Sequence, residues 1–271
     1  MNDANDAAKS SGFRILALDG GGIRGIFTAS CLNTLEDLSH AKIALYFDLL
    51  TGTSSGGIIA LALAFGIPPR RILELYKDQG EHIFGKPRNL GMLFRPKHEN
   101  GVLSTELKRV FEDRKLNDAA TPVCIPSYEL TSSYPRIWKD DHARELSFGG
   151  DQLAWKIALA TSAAPLFFPA TQVATGDCHV DGGMFANNPT LIGVTEALRY
   201  FRQQLSDIRV LSIGTGEHTE PVPYDRAKRM GLWQWKTLAY EHMLIAQART
   251  TQEITRSYCT TLRKTIMKQA M

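Results

Sequence analysis

The chain has 271 residues, 44% of them apolar and 22% charged, with a formal net charge of +3. That length holds one large α/β domain and is short for two full ones. The apolar fraction is high enough to bury a sizeable core, which excludes a wholly disordered chain.

The first twelve residues are polar and lack the apolar h-region of a secretory signal. Phe13–Leu18 is a short apolar run ending at Asp19-Gly20-Gly21-Gly22, a buried strand breaking into a tight turn. Ile26, Phe27, Cys31, Leu35 and Leu38 then share one helical face. The pattern repeats at once, with a strand over Leu45–Thr51, a small-residue turn over Gly52–Gly57 and a helix over Ile58–Phe65 that is apolar on every side. Such a helix belongs between layers, and two βα units in succession predict a mostly parallel central sheet with helices on its faces. The apolar run Ile58–Ile67 is about half of the roughly 20 residues a membrane-spanning helix needs, so it reads as a core helix.

Pro68-Pro69 opens another helix through Lys77, and Gly85–Gly101 reads as a long loop carrying Met92, Leu93 and Phe94. Leu103, Leu107, Val110 and Phe111 mark an amphipathic helix capped at or just before Ser104. Residues 121–139 are strand-like but interrupted by Pro122, Pro126 and Pro135, which predicts edge strands. Asp151–Thr161 reads as a helix ended by Ala164-Pro165, and residues 171–180 as a strand running into Asp181-Gly182-Gly183. Asn188-Pro189 starts a helix, the asparagine as N-cap and the proline at the first helical position, with Leu191, Val194, Leu198 and Phe201 on its apolar face. Ile208–Ile213 is a last strand, ending at Gly214-Thr215-Gly216. Cys31, Cys124, Cys178 and Cys259 are widely spaced and read as reduced thiols of a cytoplasmic protein. No cluster has metal-ligand spacing, and no cofactor is implied.

Three turns carry the chemistry. Gly52-Thr53-Ser54-Ser55-Gly56 is a G-x-S-x-G sequence between a predicted strand and a predicted helix, where a sharp turn between small residues lifts the serine hydroxyl out of the sheet edge. The helix behind it directs free N–H groups at a developing anion. Asp19-Gly20-Gly21-Gly22-Ile23-Arg24-Gly25 lets successive backbone N–H groups converge on one point, suiting a phosphate or an oxyanion. No G-K-[ST] follows it, and Glu36 and Asp37 fall inside the next helix rather than at a strand end, so the oxyanion use fits better than a P-loop or a dinucleotide site. Asp181-Gly182-Gly183 places a carboxylate at a strand end, where desolvation can raise its pKa enough to take a serine's proton. Two other readings stay open. A Ser-Asp-His triad is permitted by the order Ser54, Asp181, then His218 or His242, although one strong strand precedes this elbow where an α/β-hydrolase has several. A non-enzymatic nucleotide-binding module would use the glycine-rich turn and leave Ser54 and Asp181 idle.

In this order the three turns resemble the patatin-like phospholipase family, whose pattern is a G-G-G-x-R-G loop, a G-x-S-x-G elbow and a D-G-[AG] motif. Gly20–Gly25, Gly52–Gly56 and Asp181–Gly183 match it, and Ala163-Ala164-Pro165 ahead of Phe167-Phe168-Pro169 looks like the family's segment before the aspartate strand. The resemblance covers residues 13–216 and implies a three-layer α/β/α fold, a catalytic domain over those residues and metal-free hydrolysis of lipid acyl esters. It also implies Ser54 as nucleophile, Asp181 as general base and an oxyanion hole at Gly20, Gly21 and Gly22, with Arg24 and Gly25 completing the loop. Gly52 and Gly56 would flank the elbow, and Gly182 and Gly183 the base. The substrate implied is a phospholipid or other lipid ester met at a membrane surface by a peripheral, cytoplasmic enzyme.

Residues 217–271 are expected to form a helical extension packed on or regulating the same domain, and from Glu220 to Met271 they hold nine Lys/Arg against four Asp/Glu. Some bacterial patatin-like proteins are switched on by cyclic nucleotides in antiviral defence, and this basic segment with Trp233 and Trp235 is compatible with such an activator and with homo-oligomer formation. A nucleic acid polymer is not expected as a partner.

Overall fold

The computed structural model describes residues 12–84, 100–142, 149–216 and 221–269. The loop residues Met92, Leu93 and Phe94, and His218, lie outside the described residues.

In chain order the elements are β1 (Phe13–Leu18), α1 (Gly25–Ser39), β2 (Leu49–Gly52), α2 (Ser55–Ala64), α3 (Pro69–Phe84), α4 (Gly101–Phe111), β3 (Val123–Glu129), β4 (Tyr134–Lys139), α5 (Ala154–Thr161), β5 (His179–Asp181), the short α6 (Gly183–Ala186), α7 (Thr190–Arg199), β6 (Ile208–Ile213), the short α8 (Tyr224–Ala227) and α9 (Leu232–Gln269). The sheet runs β4-β3-β2-β1-β6, with β5 joined to β3 off that path. The β6–β1–β2–β3 run is parallel, while β4 and β5 pair antiparallel with β3. This is the mostly parallel central sheet that the repeated βα pattern predicts.

Period-two alternation along the central strands feeds two separate cores. Leu16 and Leu18 of β1, Leu50 of β2 and Ile125 of β3 pack with α1 to α5, whereas Ile15, Leu49 and Cys124 point the other way onto Ile192, Val194 and Ala197 of α7. Helices on both faces make three layers. Every residue of α2 is buried, as its all-round apolar sequence predicts. A fully buried Leu61 or Ile59 contributes about 2 kcal/mol each relative to exposure, so this short helix anchors the layer above the sheet.

Several boundaries differ from the sequence reading. Ile43–Tyr46 forms a 3-10 turn, in which Ile43 and Ala44 are buried and Leu45 is 72% exposed, so β2 begins only at Leu49. Ile43 and Ala44 face inward from the turn, while Leu45 and Tyr46, at the start of the expected strand, are exposed. Helix α4 starts at Gly101 behind Asn100, leaving Ser104 inside it. Helix α7 starts at Thr190 with Pro189 in the cap position; Asn188 still accepts the Thr190 N–H, at 2.9 Å, and so closes the turn one residue further out. Helix α5 begins at Ala154, and of residues 171–180 only His179 and Val180 lie in a strand, Thr171 forming an isolated bridge to His179.

Strand β3 is not an edge. β4 lies along one side, and the other side is divided: Val123 and Cys124 pair with β2, while Ser127, Tyr128 and Glu129 pair with β5. Pro126 falls in the seam between them, where its carbonyl accepts from the Thr161 hydroxyl at 2.6 Å. Carbonyl and nitrogen of one strand residue point to the same side, so the donor that proline lacks is missing where neither neighbouring strand needs it.

Helix α9 packs on α6 and α7. Among the described residues no helix is long and apolar enough to cross a membrane.

Candidate active site

β2 runs straight into the elbow. Ser54 has φ 55° and ψ −123°, a conformation unfavourable for any residue with a Cβ and worth of order 1–3 kcal/mol of strain. Its surroundings hold it there. The Ser54 N–H donates to the Thr161 hydroxyl at 3.0 Å, and Thr161 donates onward to Pro126. The Thr53 N–H bonds the Leu18 carbonyl, and its hydroxyl bonds the Ala186 carbonyl at 2.6 Å. Gly52 and Gly56 are required by close approach: a Cβ would lie 2.2 Å from the Gly56 carbonyl oxygen at the first and 2.3 Å from the Leu18 oxygen at the second. α2 begins at Ser55, so its unsatisfied N–H groups and positive dipole end stand at Ser54.

Asp181 ends β5 and is 3% exposed. Burial pushes its carboxyl up to about 7, opposed by hydrogen bonds from the Gly183 N–H and the Ser54 hydroxyl. The Gly183 bond is 2.7 Å long. A carboxylate at that value is poised between accepting and releasing a proton near neutrality. The Ala163 carbonyl fixes the strand's end by accepting the Asp181 N–H at 3.0 Å, which gives the Ala163-Ala164-Pro165 segment a physical task.

The glycine-rich turn lies over the same point. Gly21, Gly22, Ser54 and Asp181 line one cavity of about 1340 Å³, together with Arg24 at an exposed part of its wall. The Gly20 N–H is engaged with the Asn187 carbonyl at 3.0 Å, so it serves to anchor the loop. Asp19 lines the cavity too, and burial pushes it up to about 7 against a hydrogen bond with Asn188. The carboxyl whose charged form the Ser54 hydroxyl favours, however, is that of Asp181.

A scan against protein-family descriptions matches residues 16–194 to the patatin-like phospholipase family. The chain belongs to the patatin-like phospholipase family. Relatives within it include a cGAMP-activated phospholipase of Pseudomonas aeruginosa, 32% identical over 90% of this chain and 74% of that protein. Another is a cGAMP-activated phospholipase of Vibrio cholerae, 36% identical over 81% of this chain and 70% of its own length. A cUMP-AMP-activated phospholipase of Escherichia coli is 33% identical over 78% of this chain and 67% of that protein. As in the patatin-like family pattern, the elbow, the glycine turn and the aspartate motif meet at one place.

No histidine among the described residues lines the cavity. His242 stands on α9 away from it, and His179, on the aspartate's own strand, is held between Ser127 at 3.1 Å and Asp177 at 3.0 Å. Trp233 and Trp235 are exposed, at 61% and 43%, and do not line it either. Sequence reasoning missed Thr161, Asn187, Asp19 and Tyr240. For Asp19 the signal was its place at the head of the glycine turn; for the others, which reach the site through tertiary packing, the sequence carries no local signal.

Proposed function

We propose that the chain is a phospholipase A-type enzyme cleaving ester-linked acyl chains of membrane phospholipids through a Ser54–Asp181 dyad. The observation that carries this reading is a strained serine lining the same cavity as a buried carboxyl raised to about 7. Asp181 takes the hydroxyl proton as Ser54 Oγ attacks the ester carbonyl carbon. The oxyanion is met by the N–H groups of Gly21 and Gly22 and by that of Ser55, the residue after the nucleophile. Arg24 adds positive potential at the exposed part of the wall, and Gly25 allows the loop to approach α2, since a Cβ there would stand 2.7 Å from that of Ser55. Collapse breaks the ester bond, and Asp181 returns the proton to the departing lysophospholipid oxygen. A water molecule, deprotonated by Asp181, then attacks the acyl-serine; collapse releases the fatty acid, and Asp181 returns the proton to Ser54 Oγ. The cavity is large enough for an acyl chain, and Phe167 and Phe168 contribute apolar wall.

Activation by a cyclic dinucleotide is part of the proposal, on the strength of the relatives' names and of the basic segment 220–271. Such a ligand acts only through preferential affinity for the active state, by opening the site or by self-association. The test is release of fatty acid from phospholipid vesicles by wild type, Ser54→Ala and Asp181→Asn, with and without a panel of cyclic dinucleotides, alongside sedimentation. Turnover that survives either substitution refutes the dyad; turnover and assembly indifferent to every nucleotide refute the activation.

A further inference from the structure

Helix α9 lies beyond residues 16–194, the stretch matched to the family, yet it supplies part of the cavity wall. Its inward face is read at helical spacing. Leu244 meets Gly183, where a Cβ would stand 2.8 Å from Leu244 Cδ2. One turn further on, the Gln247 carboxamide oxygen accepts the Asn188 N–H at 2.8 Å, and its nitrogen donates to Thr251. One turn before Leu244 comes Tyr240, which therefore sits beside the Asp181-Gly182-Gly183 turn. Its ring packs against Phe167, centroids 6.2 Å apart. Its hydroxyl is buried, and among the described residues it has no hydrogen-bond partner.

A hydroxyl buried in a cavity wall with no partner among the described residues is available to a polar atom that enters the cavity. Burial, with the negative charge of Asp181 adding to it, drives the phenol far above its ordinary range, so it keeps its proton and acts as a donor. The acceptor must be an oxygen on the Asp181 side of the cavity. On the dyad reading, on which this inference rests, the ester's carbonyl oxygen goes to the glycine turn, and the oxygen within reach of Asp181 is that of the leaving alcohol. We propose that Tyr240 is a further catalytic residue, donating a hydrogen bond to the leaving-group oxygen while Asp181 protonates it.

The test is Tyr240→Phe, which keeps the ring against Phe167 and removes only the hydroxyl. kcat/KM is measured on a series of esters of one fatty acid, from alkyl and glyceryl alcohols to 4-nitrophenol, with any nucleotide that wild type requires present throughout. A nitrophenolate departs without help, whereas an alkoxide needs it. The expected result is a loss of about ten- to a hundredfold on the alkyl and glyceryl esters and of less than about twofold on the nitrophenyl ester, each tenfold corresponding to about 1.4 kcal/mol of barrier. Thermal stability should be equal or higher, because an unpaired buried hydroxyl has been removed. An equal loss on all esters, or none on any, overturns the assignment. Ser54→Ala is run beside it: if that variant still turns over, the dyad is what fails, and the role of Tyr240 falls with it.

Discussion

Replacing Asp181 by asparagine should inactivate the enzyme and, at the same time, make it more stable in a way that depends on pH. The carboxyl is raised from 3.8 to about 7 by burial. Between those values the folded protein holds a proton that the unfolded chain has released, so folding takes up a proton and stability falls as pH rises through that window. Roughly three pH units at 1.36 kcal/mol each put the loss at about 4 kcal/mol once the pH exceeds 7. Asparagine imitates the protonated acid: its oxygen still accepts the Gly183 N–H and its amide faces the Ser54 hydroxyl. Urea unfolding of both proteins should therefore give nearly equal stabilities near pH 4 and a lead of a few kcal/mol for the variant at about pH 8. In the same samples wild-type kcat/KM should rise with pH to a plateau, with its inflection near 7, because the base works only when ionised. A stability difference that does not change with pH would refute the reasoning, as would full wild-type activity well below the inflection.

Ser54→Ala and Ser54→Gly should both abolish hydrolysis and reaction with a fluorophosphonate probe, but glycine tolerates φ 55° and should leave the protein about 1 kcal/mol more stable than alanine does; equal denaturation midpoints would remove the case for a strained elbow. Thr161→Val is nearly isosteric and strands the Ser54 N–H and the Pro126 carbonyl, so it should cost about 2–4 kcal/mol in unfolding free energy and lower kcat with KM little changed; unchanged kcat would show that the elbow is held elsewhere. Hydrolysis should persist in excess EDTA, since among the described residues no group of three His, Cys, Asp or Glu is placed to hold a metal ion; a loss reversed by calcium would count against the dyad.

Much of this architecture is legible in the sequence because the signals are local. Strand, glycine turn and helix follow one another twice before Ile67, and α2 announces its central place by having no polar side. What is not legible is set by partners far along the chain. Pro126 reads as a mark of an edge and lies instead at an interior seam, because β2 and β5 each cover only half of β3's side. Thr161 looks like any residue at a helix end until Ser54, 107 positions away, donates to it. Gly20 reads as an oxyanion donor, yet its N–H is taken by the Asn187 carbonyl at the end of α6. Tyr240 reaches the cavity only because α9 packs on α6, and no periodicity within residues 13–216 could indicate that.

The divided side of β3 has a consequence for how this enzyme can change. β2 leads into Ser54 and β5 ends on Asp181, and both are registered on one strand, at Cys124 and at Ser127. The interval between Ser54 and Asp181 is thus measured out by a few residues of β3, as on a ruler. A residue inserted between Cys124 and Ser127 would slide Asp181 by about 3.3 Å and turn the following side chains to the opposite face, whereas the connections before β2 and before β5 can vary in length without moving either end. Descendants of this chain are free to lengthen their loops and reshape the cavity, but the short span around Pro126 is where a change of length would part Ser54 from Asp181.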